Sequence, residues 1–573
     1  MLQTLITASG QALSGTPWQA YPRPQMRRDS YLNLNGAWEF SPSYSEPETY
    51  PLSILVPFCP ESRLSGIARH FDEGTPLWYR RRFSLPEGFH RGRVLLHIGA
   101  ADQTADVRVN GQQLCHHEGG YEAFTVDITA ALREENELVI RCVDDLRDHS
   151  YPYGKQVQSR GGMWYTPVSG IWQSVWLESV PETYIERLKV ENRGSSVTIS
   201  TTPTLEGTVT VKDLGQFPLQ NGSVTISPDN PRFWSPESPY LYDFTLEAGA
   251  DRVESYFAIR TLEIKKGGDY PRLCLNGKPY FFHGLLDQGY WPESLLTAPA
   301  PESYEADILA MKKLGYNTLR KHIKIEPEEF YYQCDRLGMI VWQDMVNNGD
   351  YSYFRDTALP TIGVQRLPDQ HLHRDEATRA AFRRCAEGAV NQLGSHPCIC
   401  YWTIFNEGWG QFDSDKVYDW FRALDDTLFI DTTSGWFRRK KSDVDSRHQY
   451  FGELRLQGDG IKPLVLSEFG GKTWRVEGHI FNPDKTYGYG ACETRQALND
   501  AVSALYKQSI LPAVKNGLCA AIYTQVSDVE DEVNGLLTYD RRVEKLDAET
   551  MVPIADALAA AMDALTVPEQ ALL

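Results

Sequence analysis

The sequence lacks several patterns that would assign its class directly. Its ten cysteines are spread over 573 residues and form no CxxC pair. The one close pair, Cys398 and Cys400, is interpreted as two reduced core thiols on a predicted strand. No stretch is long enough to span a membrane, and residues 1–15 lack a basic start followed by an apolar run. We therefore expect a soluble, cytoplasmic protein.

Positive charge is also scarce. Lys and Arg total 57 against 76 Asp and Glu, which gives a net charge of −19 and argues against binding to nucleic acid. The absence of a glycine-rich phosphate loop argues against a nucleotide or phosphate enzyme. Aromatic residues, in contrast, make up 12% of the chain and include 14 Trp. Most of these rings belong in a core, but their number also suits a protein that stacks aromatic rings on sugars.

The chain is too long for a single core, and its patterning changes twice. Residues 1–180 consist of short alternating runs separated by turns, with Asn110-Gly111 as a hairpin signal, and predict a jelly-roll β-sandwich. Residues 145–170 interrupt this pattern with a long, polar, glycine-rich loop of the kind that is usually functional or disordered. Residues 181–262 predict a smaller, immunoglobulin-like sandwich.

From residue 263 to 573, short apolar strands alternate with amphipathic helices. Eight such units predict a (β/α)8 TIM barrel. The fold class predicted for the whole chain is therefore multidomain, with two all-β domains before a barrel. The predicted barrel strands are Tyr280–Leu285, Thr318–Lys321, Met339–Gln343, Cys398–Phe405, Phe429–Thr432, His448–Phe451, Leu464–Ser467 and Ala520–Thr524.

Two glutamates follow predicted strands four and seven. Glu407 comes after Asn406 at the end of an apolar run, and Glu468 comes after Ser467; a glycine follows each glutamate closely. Active-site residues of a TIM barrel lie at the carboxyl ends of its strands, so both carboxylates are predicted to face one pocket. Such a pair cleaves glycosidic bonds: one group protonates the leaving oxygen and the other attacks the anomeric carbon or activates water.

The distance between the two carboxylates decides the stereochemistry. At ~5 Å the configuration is retained through a covalent intermediate, and at ~6.5–9.5 Å it is inverted. The sequence leaves this distance open. We expect the loop at residues 145–170 to reach the mouth of this pocket.

Other residues just past the predicted strands complete the candidate site. Asp287 and Gln288 after strand one and Asp344 after strand three are predicted to bind sugar. Trp409 and Trp474, just beyond the two glutamates, are predicted walls of the subsite. No set of metal ligands is evident.

These motifs resemble those of glycoside hydrolase family 2, the β-galactosidase, β-glucuronidase and β-mannosidase family. Asn406-Glu407 and Ser467-Glu468-Phe469-Gly470 are similar to its catalytic motifs. The resemblance extends over nearly the whole chain. Further similar segments are Tyr31–Trp38, Val56–Phe58, Trp78–Arg81, Val109–Gly111, His117–Tyr121, Ser169–Gln173 and Phe233–Pro236.

The resemblance implies a retaining mechanism with Glu407 as acid/base and Glu468 as nucleophile. Arg320 resembles an arginine that supports the nucleophile, and Tyr450 resembles a tyrosine that hydrogen-bonds it. Asn406 resembles the residue that contacts the sugar 2-hydroxyl. The remaining predicted substrate-binding residues are His448, Gln525 and Tyr523, the last at a position where many members carry a stacking tryptophan.

Departures from the family pattern bear on the substrate. The β-glucuronidases carry an Asn-x-Lys pair that reads the sugar carboxylate, but here Glu532-Val533-Asn534 stands at that place without a lysine. The β-galactosidases place a histidine three residues after the arginine, whereas His322 is two residues after Arg320. Four carboxylates would oppose an acidic sugar: Asp528, Glu530, Asp531 and Glu532.

We therefore expect an exo-acting retaining glycosidase, without cofactor or metal, that hydrolyses a terminal neutral β-glycoside, first of all a β-galactoside. Carbohydrate is the expected partner, nucleic acid and membrane are not, and a homo-oligomer is left open. The alternatives are an α-L-arabinofuranosidase or another β-glycosidase of the family. The alternative from another class is a carbohydrate-binding relative without catalysis.

Overall fold

The computed structural model describes residues 2–364, 368–450 and 452–565. Two β-sandwiches precede a parallel eight-stranded barrel, which confirms the predicted fold class. Met1 and residues 566–573, at the ends of the predicted domain ranges, lie outside the described residues, as does Phe451 of the predicted sixth strand.

The first sandwich consists of an antiparallel sheet of four strands packed on one of six. Apolar side chains alternate inward along its strands, as in Thr104–Val109. Asn110 and Gly111 both have positive φ, +52° and +83°, which is the backbone that a two-residue hairpin turn requires. The first sheet contains Tyr31–Asn33, Val175–Val180, Arg93–Ile98 and Phe124–Asp127, and the second contains Leu52–Val56, Gly36–Pro42, Leu77–Phe83, Asn136–Val143, Thr104–Val109 and Gln112–Glu118.

Three smaller elements complete this region: the helix Ala8–Ala12, the 3₁₀ turn Thr129–Ala131, and the paired strands Ala101–Asp102 and Gly170–Ile171. The second sandwich has sheets of three and four strands around its own apolar core. Its strands are Arg187–Arg193, Ser196–Thr202 and Ser223–Ile226 in one sheet, and Gly215–Leu219, Gly207–Val211, Tyr242–Ala248 and Asp251–Phe257 in the other.

A three-stranded antiparallel sheet leads into the barrel and packs against the start of its last strand. Its strands are Leu262–Gly267, Tyr270–Leu275 and Lys278–Pro279. Arg272 in this sheet is fully buried and donates to the carbonyl oxygens of Val514 at 2.7 Å and Leu518 at 3.1 Å.

All eight barrel strands are parallel and buried along their length except for part of the sixth. We number them β1 (Phe282–Asp287), β2 (Thr318–Lys321), β3 (Ile340–Asp344), β4 (Ile399–Asn406), β5 (Phe429–Ser434), β6 (Asp445–Gln449), β7 (Leu464–Phe469) and β8 (Leu518–Tyr523). The hydrogen-bonded order is β5-β4-β3-β2-β1-β8-β7-β6. In the described part of the chain no ladder joins β5 to β6, so the barrel is nearly closed.

Helices alternate with these strands, and none among the described residues is long and apolar enough to cross a membrane. Phe354–Ala358 and Tyr506–Ile510 are π-helical. The second of these joins the α-helices Arg495–Leu505 and Leu511–Val514. The α-helices are Pro301–Lys313, Glu328–Leu337, Leu359–Thr361, Glu376–Leu393, Ser414–Leu424, Arg495–Leu505, Leu511–Val514 and Ala548–Asp563, and the short strands Thr473–Trp474 and Ala491–Cys492 pair after β7.

Two strand boundaries differ from the prediction in a way that matters for the site. β6 begins at Asp445, so His448 lies within it, and β7 extends to Phe469, so Glu468 lies inside the strand rather than after it. A prediction from sequence patterning ends a buried strand at the first polar residue after the apolar run. Here polar side chains at the carboxyl end of the barrel satisfy one another, so the strands continue through them.

Candidate active site

Glu407 lies where the chain turns away from the end of β4. Its φ of +51° is in the left-handed region, a strained backbone that non-glycine residues keep mainly at functional sites. Its backbone N–H donates to the Ser434 carbonyl oxygen on β5 at 3.0 Å, which fixes this turn. Gly408 has φ +80°, and a Cβ there would lie 2.4 Å from Phe437, so a side chain would have no room.

Glu468 is almost fully buried and accepts hydrogen bonds from Arg320 at 2.9 Å and from the Tyr450 hydroxyl. Burial by itself would raise the pKa of Glu468, but the charges of His448 and Arg320 outweigh it and lower the pKa to about 2. The carboxylate is therefore ionised at neutral pH. An ionised, rigidly held carboxylate is the state that a nucleophile requires.

His448 connects the two glutamates. Its Nδ1 lies 2.8 Å from the Glu407 carboxylate, and its Nε2 lies 2.9 Å from the Ser434 hydroxyl and 3.6 Å from Glu468. A carboxyl oxygen of each glutamate and one ring nitrogen all lie within 4.8 Å of one another. Such a trio could hold a metal ion, but the Arg320 guanidinium 2.9 Å from Glu468 opposes a second cation there.

Arg320 organises the floor of the site from β2. Besides Glu468, it donates to Asp344 at 2.9 Å and to the Asn406 amide oxygen at 2.8 Å. The other oxygen of Asp344 lies 2.7 Å from His322 Nδ1. Asp344 is 1% exposed and holds Arg320 and His322 in place, and its predicted contact with the sugar stays a prediction.

The structure gives Asp287 partners other than the glutamate pair. Its carboxylate lies 2.6 Å from Lys321, which also contacts Glu326, in a buried ion cluster between β1 and β2. Gln288, the next residue, is 4% exposed, and its Nε2 has no hydrogen-bond partner among the described residues. Asp287 makes its hydrogen bonds to Lys321 and Gly289 and not to either glutamate, and the predicted contacts of Asp287 and Gln288 with the sugar stay predictions.

Three aromatic residues of the predicted site, Tyr523, Trp409 and Trp474, each pack against other parts of the protein. Tyr523 is fully buried beneath Gly470, and its hydroxyl accepts from the Lys472 backbone N–H at 3.0 Å, so it has no free face for stacking. Trp409 is buried against Trp164, with ring centroids 5.2 Å apart. Trp474 lies in the short strand pair after β7 and is not among the residues that line the cavity. Gln525 donates to Glu532 at 2.6 Å.

A cavity of about 700 Å³ opens beside Glu407. Gly161 to Trp164 of the jelly-roll domain line it, so the loop at residues 145–170 reaches the site as predicted. His448 and Tyr450 lie on its barrel side. The other lining residues are Tyr351, Tyr353, Thr357, Pro360, Gly435, Trp436, Arg438, Arg447, Gln449, Arg455, Tyr487 and Tyr489.

Sequence reasoning missed several residues of this cavity. Trp164, Trp436 and Tyr489 lie on irregular loops, where neither strand nor helix periodicity assigns a direction to a side chain. The length and composition of the 145–170 loop were the available signal for Trp164. They indicated a functional loop but not which of its residues faces the site.

Three family profiles match the chain in order. "Glycosyl hydrolase 2 galactose-binding domain-like" matches residues 69–160, "Glycosyl hydrolases family 2" matches residues 182–260, and "Glycosyl hydrolases family 2, TIM barrel domain" matches residues 269–544. The chain belongs to glycoside hydrolase family 2.

Curated members of family 2 are distant relatives of this chain. A β-galactosidase of Thermoanaerobacter pseudethanolicus is 26% identical over 72% of this chain and 55% of its own length. A putative β-glucuronidase of Formosa agariphila is 24% identical over 70% of this chain and 47% of its own length. The chain thus spans about half the length of these two relatives.

Among solved structures, the β-glucuronidase of an uncultured Clostridium species has a TM-score of 0.71. It is 17% identical, and the superposition covers 95% of this chain and 99% of that one. At this identity the likeness shows a shared fold only.

Proposed function

We propose that the protein is a retaining exo-glycosidase that hydrolyses terminal β-glycosides by double displacement. Glu468 attacks the anomeric carbon and forms a glycosyl-enzyme while Glu407 protonates the leaving oxygen. Glu407 then deprotonates the water that releases the sugar. No cofactor takes part in these steps.

The observation that supports this proposal best is the spacing of the two glutamates. One carboxyl oxygen of Glu407 and one of Glu468 lie within 4.8 Å of each other, which is consistent with the separation of about 5 Å between the carboxyl groups of retaining glycosidases. A catalytic water does not fit between carboxylates this close while a sugar is bound. The ionised state of Glu468 is consistent with the same assignment.

The cavity beside Glu407 supports the assignment of the acid/base. It is lined by Glu407 but not by Glu468, so it lies on the side of the pair from which a proton is delivered. The leaving group of the substrate would occupy this space, against the aromatic rings of Trp164, Trp436 and Tyr489.

For the glycone we propose a neutral sugar, first of all β-galactose, as in the β-galactosidase relative. A uronic acid is the second candidate, since other relatives are β-glucuronidases. The repulsion of an acidic sugar by the four carboxylates after β8 is expected to be weaker than the sequence suggested, because three of them have cationic partners. Asp528 lies 2.6 Å from Lys545, and Arg160 lies 2.9 Å from Asp531 and 3.4 Å from Glu530, which leaves Glu532 without a direct cationic partner among the described residues.

Release of nitrophenol from a panel of nitrophenyl glycosides tests the reaction and the sugar together. The panel holds β-galactoside, β-glucoside, β-mannoside, β-xyloside, β-glucuronide, β-galacturonide and α-L-arabinofuranoside. Glu468→Gln is expected to abolish turnover. Glu407→Gln is expected to reduce it by about 10²–10⁴-fold for nitrophenol and much less for dinitrophenol, which leaves without protonation.

Glu453→Gln, at an exposed glutamate near the cavity, is the matched control and should behave as wild type. Proton NMR of the first-formed sugar reports its anomeric configuration, and a β product from a β-glycoside is expected. Wild-type turnover by Glu468→Gln, or an inverted product, contradicts the proposal.

A further inference from the structure

Lys155, in the jelly-roll loop, differs from every other buried lysine in the described part of the chain. It is 8% exposed, yet its Nζ makes no hydrogen bond or ion pair with any described residue. Lys321, Lys324 and Lys545 are also buried, and each lies 2.6–2.9 Å from a carboxylate. The Lys155 Nζ itself is not fully buried, so it keeps contact with solvent, and because it has no partner among the described residues it is available to a ligand that enters this space.

The amine of Lys155 lies at the carboxyl end of the barrel. It is 5.5 Å from the ring centroid of Tyr165 and 5.7 Å from that of Trp409, which follows Glu407 by two residues. Its charge also acts on His322, after β2, and on Glu532, after β8. The amine therefore lies near residues that follow β2, β4 and β8, and one of them, Trp409, is two residues from Glu407.

The backbone on both sides of Lys155 is fixed. Asn347, after β3, accepts from the Tyr153 backbone N–H at 3.1 Å and donates to the Gly154 carbonyl oxygen at 3.3 Å. Gln156 donates to Asp102 at 3.2 Å and accepts from the Val168 N–H at 2.6 Å, within the jelly-roll domain. Lys155 is therefore held between the two domains, in the way that preorganised binding residues are held.

Unsatisfied acceptors lie on the barrel side. Gln525 is 1% exposed and donates to Glu532 at 2.6 Å and to Asn534 at 2.9 Å, which leaves its Oε1 buried without a partner among the described residues. A sugar hydroxyl both accepts and donates a hydrogen bond, so it matches an ammonium donor combined with amide and carboxylate acceptors. A sugar carboxylate would be attracted by the ammonium group but repelled by the carboxylate of Glu532.

We propose that Lys155 is a specificity-determining residue that donates a hydrogen bond to a hydroxyl group of a neutral glycone bound at Glu407 and Glu468. The inference rests on the proposed function and deepens it. A residue of the non-catalytic jelly-roll domain thereby takes part in recognition of the sugar that the barrel cleaves.

The test compares Lys155→Met, which removes the ammonium group at similar length, with Lys155→Arg, which keeps a cation. On the neutral nitrophenyl glycoside that wild type cleaves best, Lys155→Met is expected to lower kcat/KM by about 10- to 100-fold, the range for hydrogen bonds to a charged group. Lys155→Arg should recover part of this loss. Lys278→Met, at an exposed lysine, is the matched control and should change nothing.

A set of monodeoxy versions of that glycoside identifies the contact. Wild type should be less active on the analogue that lacks the contacted hydroxyl than on the complete glycoside. On that analogue, and on no other, the activity of Lys155→Met should be close to that of wild type, because the contact is already absent. An equal loss for all analogues, or a larger loss of Lys155→Met on the uronides than on neutral glycosides, overturns the inference. Thermal unfolding of each variant separates these results from misfolding.

The two proposals fail in different ways. If wild type cleaves no glycoside of the panel, the proposed function fails. Calorimetric binding of the same glycosides to wild type and Lys155→Met then still tests the inference, which is overturned if the two bind alike or if neither binds. If wild type is active and Lys155→Met matches it, the inference fails while the proposed function stands.

Discussion

Glu468 keeps its negative charge at the centre of the barrel because three different groups face it. Arg320 supplies a fixed positive charge, the Tyr450 hydroxyl donates a hydrogen bond, and the His448 ring lies 3.6 Å away. The pKa of Glu468 falls to about 2 although its burial acts in the opposite direction. Removing any one of these groups is therefore expected to raise that pKa.

Tyr450→Phe removes only a hydroxyl group and so tests whether its hydrogen bond lowers the pKa of Glu468. Loss of a hydrogen bond to a charged group, about 1.5–3 kcal/mol, should raise the pKa of Glu468 by about 1–2 units. Because the nucleophile must be ionised, the acidic limb of the pH profile of kcat/KM should move to higher pH. Tyr353→Phe, at an exposed tyrosine of the same cavity, is the control. An acidic limb that stays in place in Tyr450→Phe argues against the contact with Glu468.

How much of the site the sequence predicted follows from where each residue lies. Glu407 and Glu468 lie at the ends of apolar runs, so strand patterning predicted them at one end of the barrel, and the family resemblance added Arg320 and Asn406. The side chain of Asp287 has the same kind of position but points to Lys321, and patterning does not report such a direction. Lys155 belongs to another domain, and only the packing of two domains brings it to the barrel.

Among the elements, the loop at residues 145–170 has the largest effect on the shape of the site. Trp164 from this loop stacks on Trp409 at 5.2 Å and meets Tyr351 edge to face at 4.9 Å. It covers the buried Trp409 and becomes the wall of the cavity in its place. The barrel strands position the proposed catalytic groups, and this loop forms one wall of the cavity that we propose for the leaving group.

Trp164→Ala is expected to raise KM for aryl glycosides by up to about 10-fold, the value of one aromatic contact, with a smaller change in kcat. Steady-state kinetics with nitrophenyl and methyl glycosides measures it, since a methyl leaving group is too small to use the wall. Trp420→Ala, at a partly buried tryptophan on a barrel helix, is the control. Equal effects on aryl and methyl glycosides would contradict a role in binding the leaving group.

The elements themselves were more predictable than their ends. Parallel strands that are buried on both faces appear in the sequence as apolar runs. β2, for example, has the bounds that were predicted for it. β6 was misplaced by three residues at its start because Asp445 and Arg447 are polar within the strand. Both find partners there, since Arg447 lies 2.6 Å from Asp445. A sequence pattern cannot distinguish a paired polar residue in a strand from the beginning of a loop.

At the scale of the whole molecule, a buried ion cluster joins the two sandwiches. Arg28 lies 2.9 Å from Glu178 on the last jelly-roll strand and 2.8 Å from Asp251 in the immunoglobulin-like domain. All three side chains are at most 3% exposed. Arg28 therefore fixes the two domains to each other. The loop at residues 145–170 belongs to the jelly-roll domain, so its position depends on this contact.

Arg28→Met leaves two buried carboxylates without their shared cation and is expected to cost about 3–5 kcal/mol of unfolding free energy. Urea or thermal unfolding measures it. Arg91→Met, which removes an exposed pair with Asp29 at 2.7 Å, should cost about 1 kcal/mol or less. If both variants unfold alike, the cluster is not a stabilising contact between the domains.

The same cluster gives a pH dependence with a defined sign. Burial would raise the pKa of Glu178, but the charges of Arg23 and Arg28 and a hydrogen bond from the Tyr21 hydroxyl lower it well below its usual 4.5. A carboxylate with a depressed pKa in the folded state stabilises the fold above its unfolded pKa, and this contribution is lost as the pH falls. Wild type should therefore lose stability below pH about 4.5, and Arg28→Met should lose less of it.

The fixed position of the 145–170 loop also has an evolutionary and a practical consequence. The loop contains neither of the two proposed catalytic glutamates, so changes in it are expected to alter which substrates are bound, whereas changes at the strand ends of the barrel alter the chemical step itself. Divergence in this one loop would give paralogues with new sugar or aglycone preferences and an unchanged mechanism. For directed evolution, a small library that varies only residues 155–165 is accordingly the place to select for an altered substrate preference.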